Sequence, residues 1–463
     1  MINWNTKPIA PPSARRLAYD VLYDVFVKEA YANLTLQKVM KKYSGKKYEP
    51  LSKPEKGLLT ELVYGVCRRY NHLTWIMGRL STRPVRKMDS KVRILLAIGL
   101  YQLVFLDRIP ESAAVNETVE IAKKVTHLGN VKFINAILRS YLRKKIQLHF
   151  PQRKGHELQY LSLTLNEPEW LIRRMSAQIG KARTEAVLEE FNKAPALDIH
   201  ANPIKLPASK LFEKLKFHHA EPELIPFIPD GNGIRVGNGD AFFRSPLLKN
   251  GEAYVQSAAS MIPAVVMNPS RGDKVLDMCA APGSKSINIA QLTGNWASID
   301  AWDLYEHKVN LIDHNARTLG IRCIHAEQHD STVIDESRKG QYDKVLLDAP
   351  CSGLGVLGHK PEIRWRRTED NLKEFPPLQQ KLLDAASVYV KPGGVLVYST
   401  CTLNREENED MIAWFLEKHK DFRRDTFDFA GRHLVEGMIT IWPDEFHTDG
   451  FFVARLVRRN NDD

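Results

Sequence analysis

Two cysteines stand where covalent chemistry could take place. Cys351 lies in the segment DAPCSG (348–353) directly after one apolar run, and Cys401 lies in STC (399–401) directly after another. A lone cysteine is most often a small core residue, but two in polar turns after neighbouring strands suggest one shared cleft. A thiolate can attack carbon 6 of a pyrimidine and so make carbon 5 nucleophilic, and a second ionisable group can assist release of the product.

The strand ends leave open which cysteine is the nucleophile, because DNA (cytosine-5)-methyltransferases use a Pro-Cys turn like that at 350–351. Asp348 can hydrogen-bond a protonated ring nitrogen or an exocyclic amine, which favours cytosine over uracil. Lys285 could be the electrostatic partner of Asp348. These four groups form the predicted catalytic set.

A turn of small residues, CAAPGSK (279–285), follows another apolar run and opens a helix. Asp303 lies twenty residues past Gly283, at the end of the next strand, where a carboxylate can accept both hydroxyls of an adenosine ribose. The turn matches neither GxGxxG nor GxxxxGK[ST], which favours an adenosine ligand without phosphates, and S-adenosylmethionine is the obvious one. The alternative is an ordinary turn followed by an ordinary surface aspartate.

Strands alternate with helical windows from residue 251 onward, which predicts a doubly wound, mostly parallel sheet. The predicted strands are 274–278, 296–303, 321–327, 342–350 and 393–400, with late strands near 438–442 and 450–457 closing an edge. Apolar residues at helical spacing predict an all-α bundle before residue 150, and mixed short elements predict a small α+β insert. The expected domains are 1–150, 156–250 and 251–463.

Composition excludes several classes. A chain of 463 residues that is 43% hydrophobic and 26% charged is neither disordered nor collagen-like. Its longest apolar run, 94–106, is too short to span a bilayer, and residues 1–16 carry no export signal, so we expect a cytoplasmic protein that makes no membrane contact. The five cysteines are widely spaced without a CxxC, which argues against disulfides and a structural metal.

Positive charge is concentrated near the start of the chain. The first 150 residues hold 27 Lys and Arg against 11 Asp and Glu, whereas the whole chain has a net charge of +11. Such a block predicts a module that meets a polyanion, above all RNA or DNA, although a solvated lysine-rich surface would look the same. The cluster 364–367 (RWRR) could likewise hold RNA phosphates, with Trp365 free to stack on a base, or form only a capped loop.

Several motifs resemble the NOL1/NOP2/Sun family of RNA (cytosine-5)-methyltransferases. They are CAAPGSK (279–285), DAPCSGLGVLGHKPEIRW (348–365), STCT (399–402) and DGFFVARL (449–456). The basic helical N-terminus, with ELVYGVCRRY (61–70), resembles the NusB-like domain of the family's bacterial branch, which methylates small-subunit ribosomal RNA. The resemblance implies an α/β class I (Rossmann-like) methyltransferase domain, preceded by an all-α NusB-like domain and a small α+β RNA-binding insert.

The resemblance also implies an activity and roles for residues. We expect a monomer that uses S-adenosyl-L-methionine to methylate carbon 5 of one cytosine in 16S ribosomal RNA, with Cys401 as the nucleophile and Cys351 promoting product release. Asp330 is implied to meet the adenine amino group. The implied cofactor site comprises Cys279, Ala280, Ala281, Pro282, Gly283, Ser284, Lys285, Asp303, Asp330 and Asp348.

Two alternatives remain open from the sequence. One is the same reaction on transfer RNA, and the other is a non-catalytic RNA-binding factor in ribosome assembly. An amine methyltransferase would carry an Asn/Asp-Pro-Pro-aromatic turn after the fourth strand, where this chain has Asp-Ala-Pro-Cys (348–351).

Overall fold

The computed structural model describes residues 8–44, 47–145 and 148–460. The chain forms two compact units that are not continuous in sequence. The helical unit comprises residues up to 192 together with 357–368, and the sheet unit comprises 193–356 and the residues from 369 onward. The expected domains 1–150, 156–250 and 251–463 remain a prediction. The two units are divided at other positions, after residues 192, 356 and 368.

The helices of the described residues are, in chain order, α1 (Ala14–Val27), α2 (Ala32–Lys42), α3 (Lys53–Leu80), α4 (Ser90–Phe105), α5 (Glu111–Val125), α6 (Leu128–Lys144), α7 (Glu157–Leu165), α8 (Glu169–Ile179), α9 (Lys181–Asn192), α10 (Ala208–Phe217), α11 (Gly239–Arg244), α12 (Ala258–Met267), α13 (Ser284–Leu292), α14 (Glu306–Leu319), α15 (Ile363–Arg366), α16 (Phe375–Tyr389), α17 (Glu409–Lys418) and α18 (Pro443–Phe446). The strands are β1 (Leu197–Ala201), β2 (Pro222–Leu224), β3 (Gly233–Val236), β4 (Ala253–Val255), β5 (Lys274–Asp277), β6 (Ser298–Asp303), β7 (Ile324–Gln328), β8 (Tyr342–Asp348), β9 (Val390–Thr400), β10 (Phe422–Arg424), β11 (Phe427–Phe429), β12 (Arg432–Leu434), β13 (Met438–Ile441) and β14 (Phe451–Arg458).

The helical unit is organised around α4, the longest apolar run of the sequence. Residues 94–102 of this helix are all buried, and α1, α3, α5 and α6 pack around it. The long helix α3 begins at a capping box in which Ser52 and Glu55 satisfy each other's backbone N–H groups. None of the described helices combines the length and hydropathy needed to cross a bilayer.

The main sheet of the sheet unit has the order β10-β14-β9-β8-β5-β6-β7, with β13 also paired to β14. Strands β5 to β9 run parallel, and β14 is antiparallel to β9. The prediction of a doubly wound sheet closed by two late strands is therefore confirmed. In the register of β8 and β9, Asp348 lies opposite Ser399, so both strands end at one level.

A smaller antiparallel sheet of order β2-β3-β1-β4 lies in the same unit. Its β1 carries Asp198, whose buried carboxylate accepts from Arg235 Nε of β3 at 2.9 Å and from the Ala258 amide of α12 at 3.2 Å. Asn202 follows β1 and donates to the Leu319 carbonyl at the end of α14 at 2.8 Å. These bonds join the small sheet to the helices beside β5.

Segment 357–368 packs against the rest of the helical unit, with Arg364 buried and Trp365 and Arg366 half-buried. Arg364 and Glu167 form a fully buried ion pair, Trp365 Nε1 donates to the Cys67 carbonyl at 2.7 Å, and Arg366 donates to the Ala30 carbonyl. The hypothesis that this cluster holds RNA phosphates is therefore wrong for Arg364. Its charge instead pairs with a carboxylate inside a protein core, a non-local arrangement that the local sequence does not reveal.

Candidate active site

The thiols of Cys351 and Cys401 meet at the ends of β8 and β9, with their Sγ atoms 3.1 Å apart. The Ala349 amide donates to the Ser399 carbonyl at 2.8 Å, which continues the ladder one step beyond Asp348. Both cysteine turns therefore start from one level of the sheet. The sulfur atoms are within hydrogen-bond distance, so one thiol can donate to the other.

The Cys351 thiol is buried beside the Cys401 thiol. The hydrogen bond with Cys401, followed by burial, raises the pKa of Cys351 well above its ordinary value. Either thiol can be the donor of this bond. A Cys351 that donates its S–H favours negative charge on the sulfur of Cys401.

The two cysteine turns cross closely at a pair of glycines. The Gly355 amide donates to the Cys401 carbonyl at 3.0 Å, and the Gly450 amide donates to the Gly355 carbonyl at 2.7 Å. A Cβ atom on Gly355 would lie 2.0 Å from the Gly450 carbonyl oxygen. Only glycine permits this approach, which the sequence reasoning did not single out.

Lys285 and Asp348 form an ion pair with Nζ and Oδ2 2.5 Å apart. The second carboxylate oxygen, Oδ1, accepts from Ser399 Oγ at 2.7 Å. Burial lowers the pKa of Lys285, but the Asp348 carboxylate outweighs it, so that this pKa stands above its ordinary value. Lys285 is thus a fixed cation, as the predicted pairing requires, and it also lies over the Phe451 ring at 5.6 Å from the centroid.

The turn 279–285 connects β5 to α13 close to the neighbouring strand. The Ala280 amide donates to the Trp302 carbonyl of β6 at 2.8 Å. Gly283 has φ +96°, and a Cβ atom there would lie 3.1 Å from the Ile312 side chain, so glycine meets both a conformational and a spatial requirement. Burial raises the pKa of the Cys279 thiol well above its usual range.

Asp303 and Asp330 follow β6 and β7. Asp303 is buried, its Oδ1 accepts from the Tyr305 amide at 3.3 Å, and Lys308 Nζ lies 3.5 Å from it. Asp330 is exposed, and its Oδ1 accepts from the amide and hydroxyl of Thr332, which hold the pKa of Asp330 below its usual value. The predicted residues thus lie at the carboxyl ends of β5, β6, β7, β8 and β9, where open α/β sheets bind ligands.

Two other kinds of candidate site, a metal centre and a large cavity, do not involve the predicted residues in the described structure. No group of three or more His, Cys, Asp or Glu side chains in the described ranges could hold a metal ion. A cavity of about 710 Å³ lies between the β2–β3 region and the β11–β12 hairpin, and none of the predicted site residues lines it.

Comparisons with known proteins identify the family and the fold of this chain. A family model described as 16S rRNA methyltransferase RsmB/F matches residues 264–457, and one described as NusB family matches residues 12–143. A Synechocystis protein named probable ribosomal RNA small subunit methyltransferase B is 35% identical over 457 residues, which cover 96% of this chain and 99% of the relative. The chain belongs to the RsmB/F methyltransferase family. A Bacillus subtilis relative with the same name is 34% identical with the same coverage.

Solved structures support the fold of this RsmB/F methyltransferase. The crystal structure of PH0851 matches with a TM-score of 0.81 and 26% identity, and covers 97% of this chain and 100% of that one. A methyltransferase homologue from Pyrococcus horikoshii matches with a TM-score of 0.58 and 29% identity over 65% of this chain. The expected fold, a NusB domain before a Rossmann-like methyltransferase domain, is therefore confirmed.

Proposed function

We propose that this methyltransferase uses S-adenosylmethionine to methylate carbon 5 of one cytosine in 16S ribosomal RNA through a covalent bond to Cys401. The observation that carries the proposal is the contact between the thiols of Cys351 and Cys401 at 3.1 Å. Carbon 5 of cytosine becomes nucleophilic only after a thiolate adds to carbon 6, and a second group beside that thiolate assists the later steps. The names of the relatives supply the ribosomal substrate.

The residues around the turn 279–285 fit S-adenosylmethionine. Asp303 would accept the ribose hydroxyls, and Asp330 would meet the adenine amino group. Asp277 Oδ1 is a buried acceptor without a hydrogen-bond partner in the described residues, and a ligand bearing an ammonium group would supply a donor. When bound, the cofactor supplies an electrophilic methyl group on sulfur.

Cys401 and Asp348 would perform most of the chemistry on the base. The Cys401 thiolate would form a bond from Sγ to carbon 6, which makes the electron pair of the 5,6 double bond available at carbon 5. Carbon 5 would take the methyl group as the bond from the methyl carbon to the cofactor's sulfur breaks and the neutral thioether leaves. Asp348 would accept a hydrogen bond from the protonated ring nitrogen or the exocyclic amine, which stabilises the added state. The proton on carbon 5 would pass to a water molecule, the electron pair it leaves would restore the 5,6 double bond, and the bond from carbon 6 to Sγ would break to return the thiolate.

Charge supports Cys401 as the nucleophile. Negative charge on Cys401 contributes to the raised pKa of Lys285, so by reciprocity the ammonium group favours the thiolate form of Cys401. Burial and the contact with Cys401 raise the pKa of Cys351. Together with the ammonium group of Lys285, this supports Cys401 as the nucleophile.

The helical unit would supply RNA affinity. The first 150 residues hold 27 Lys and Arg against 11 Asp and Glu, and phosphate contacts from Lys and Arg account for much of the affinity of RNA-binding proteins. A basic unit in the same chain as a methyltransferase domain supports a large, structured RNA as the substrate.

The decisive experiment is methyl transfer from labelled S-adenosylmethionine to protein-free small-subunit rRNA and to bulk tRNA, read at single-base resolution by bisulfite sequencing. We expect wild-type enzyme to convert one rRNA cytosine and the Cys401→Ala variant to convert none. Conversion confined to tRNA would contradict the substrate. Equal conversion by Cys401→Ala would contradict the covalent mechanism.

A further inference from the structure

Glu407 is a fully buried carboxylate in the turn that follows Cys401. It accepts four hydrogen bonds. Oε1 accepts from Ser352 Oγ at 2.5 Å and from Asn404 Nδ2 at 2.9 Å. Oε2 accepts from the Ser352 amide at 2.9 Å and from Gln379 Nε2 at 3.0 Å.

These contacts tie the two cysteine turns together. Ser352 is the residue directly after Cys351, and Gln379 also donates to the Pro350 carbonyl at 3.0 Å, directly before it. Glu407 therefore holds the backbone on both sides of Cys351, directly through Ser352 and indirectly through Gln379. Because Glu407 itself belongs to the turn after β9, one carboxylate fixes the Cys351 turn to the Cys401 turn.

Burying a carboxylate costs desolvation free energy, so it is an unfavourable way to hold two loops together. All four donors to Glu407 are neutral groups, so the charge is solvated by hydrogen bonds alone. Apolar side chains of similar volume often hold a core equally well or better. A negative charge kept at this place at such a cost suggests a role beyond packing.

We infer that Glu407 is a positioning residue for the reaction, which fixes Cys351 against Cys401 and keeps a negative charge beside Cys351. The inference rests on the proposed function, because the roles of the two thiols come from it. Behind the hydrogen bond with Cys401 and burial, the Glu407 charge also raises the pKa of Cys351. Glu407 thus adds to the effects that favour the protonated form of Cys351.

The test compares Glu407→Gln with Glu406→Gln. Glutamine keeps the size of the side chain but removes the charge, and its amide nitrogen cannot accept from the donors that face it. Glu406 is the exposed neighbour and undergoes the same change of charge, so it is the matched control. Ser352→Ala, which keeps the carboxylate and removes only one donor, is the second variant and serves also if Glu407→Gln does not fold.

We expect Glu407→Gln to bind S-adenosylmethionine and RNA like the control while kcat falls about 10- to 100-fold, as small misplacements of reacting groups cause. The covalent enzyme–RNA species should accumulate, because Cys351 is no longer held in place to promote release. Ser352→Ala should show the same changes to a smaller degree. Control-like kcat and adduct levels in both variants, or a loss of kcat fully explained by lost cofactor binding, would overturn the inference.

Alkylation of the thiols separates this inference from the proposed function. Removing a negative charge lowers the pKa of a nearby thiol, so the pH midpoint of Cys351 alkylation by iodoacetamide should be lower in Glu407→Gln than in Glu406→Gln. This readout needs no RNA and no turnover. An inactive wild-type enzyme would contradict the proposed function, whereas an unchanged alkylation midpoint would contradict the charge role of Glu407.

Discussion

The Sγ atoms of Cys351 and Cys401 lie 3.1 Å apart, although 50 positions separate the two residues in the chain. The parallel pairing of β8 with β9, in which Asp348 lies opposite Ser399, produces this contact. Lys285 pairs with Asp348, the last residue of β8, and Glu407 binds Ser352, the residue directly after Cys351. The contact therefore stands among charged groups that act on the thiols, with Cys401 affecting Lys285 and Glu407 affecting Cys351.

Replacing each cysteine in turn should give opposite results. Cys401→Ala should abolish both methyl transfer and any covalent RNA species, because the attacking thiolate is gone. Cys351→Ala should form the covalent species and fail to release it. Denaturing gel electrophoresis of labelled RNA with each variant measures the adduct, and the reverse pattern would exchange the two roles.

Removing the cation at position 285 should make Cys401 harder to ionise. In Lys285→Met, loss of the positive charge raises the pKa of the thiol, so the pH midpoint of Cys401 alkylation should move upward and methyl transfer at neutral pH should fall about 10-fold or more. Lys285→Arg keeps the charge and should leave the midpoint near that of the wild type. Mass spectrometry of alkylated peptides over a pH series gives the midpoints, and equal midpoints in Met and Arg variants would contradict the argument.

Gly355→Ala should disrupt the crossing of the two cysteine turns. The added Cβ would lie 2.0 Å from the Gly450 carbonyl oxygen, so the backbone must shift, at a cost of about 1–3 kcal/mol in the free energy of unfolding. Methyl transfer should fall more than stability alone explains, because Gly355 also donates to the Cys401 carbonyl. Gly358→Ala meets nothing nearer than the Phe191 carbonyl at 3.9 Å and is the control. Urea unfolding and initial rates on the two variants check both effects.

Arg364→Met should destabilise the protein by about 3–5 kcal/mol, because it leaves Glu167 buried without its partner. Burial raises the pKa of Glu167 to about 7 against the opposing effect of Arg364, and loss of the guanidinium raises it further. The folded variant then keeps a proton that the unfolded chain releases above about pH 4.3. The free energy of unfolding should therefore fall by about 1.4 kcal/mol per pH unit from there to beyond pH 7, where the fall in the wild type ends.

A second substitution isolates the source of that pH dependence. Arg364→Met combined with Glu167→Leu removes the titrating carboxyl and should flatten the slope, as well as recover part of the lost stability. Urea unfolding of the single and double variants at a series of pH values measures both quantities. A slope that persists in the double variant would assign it to another group.

Local sequence predicts the catalytic end of the sheet well. Short apolar runs mark β8 and β9, and the two cysteines follow these runs within three residues, so the strand ends alone place Cys351 near Cys401. Glu407 could not be found in this way, because it stands in the run REENED (405–410) among acidic residues of the same kind. Only burial distinguishes it from Glu406, and burial depends on packing that the local pattern does not contain.

The same limit applies to Arg364. Its neighbours read as a basic cluster on a loop, yet its partner Glu167 lies 197 positions away in the chain. The positive charge at 364–367 is evident from the sequence. Whether Arg364 faces solvent or a core depends on Glu167, which lies near the start of α8.

The packing of segment 357–368 into the helical unit also sets an order of events during synthesis. The unit's first stretch of chain ends at Asn192, but the segment whose residues pair with Glu167 and bind the Cys67 carbonyl is complete only when the ribosome has reached Thr368. At about 5–20 residues per second, that interval is roughly 10–35 s. The interior of the helical unit, the first to emerge, is thus complete only after a late part of the chain has been made. Nascent chains arrested before residue 357 should therefore be cleaved more readily by protease than chains arrested beyond the end of the segment.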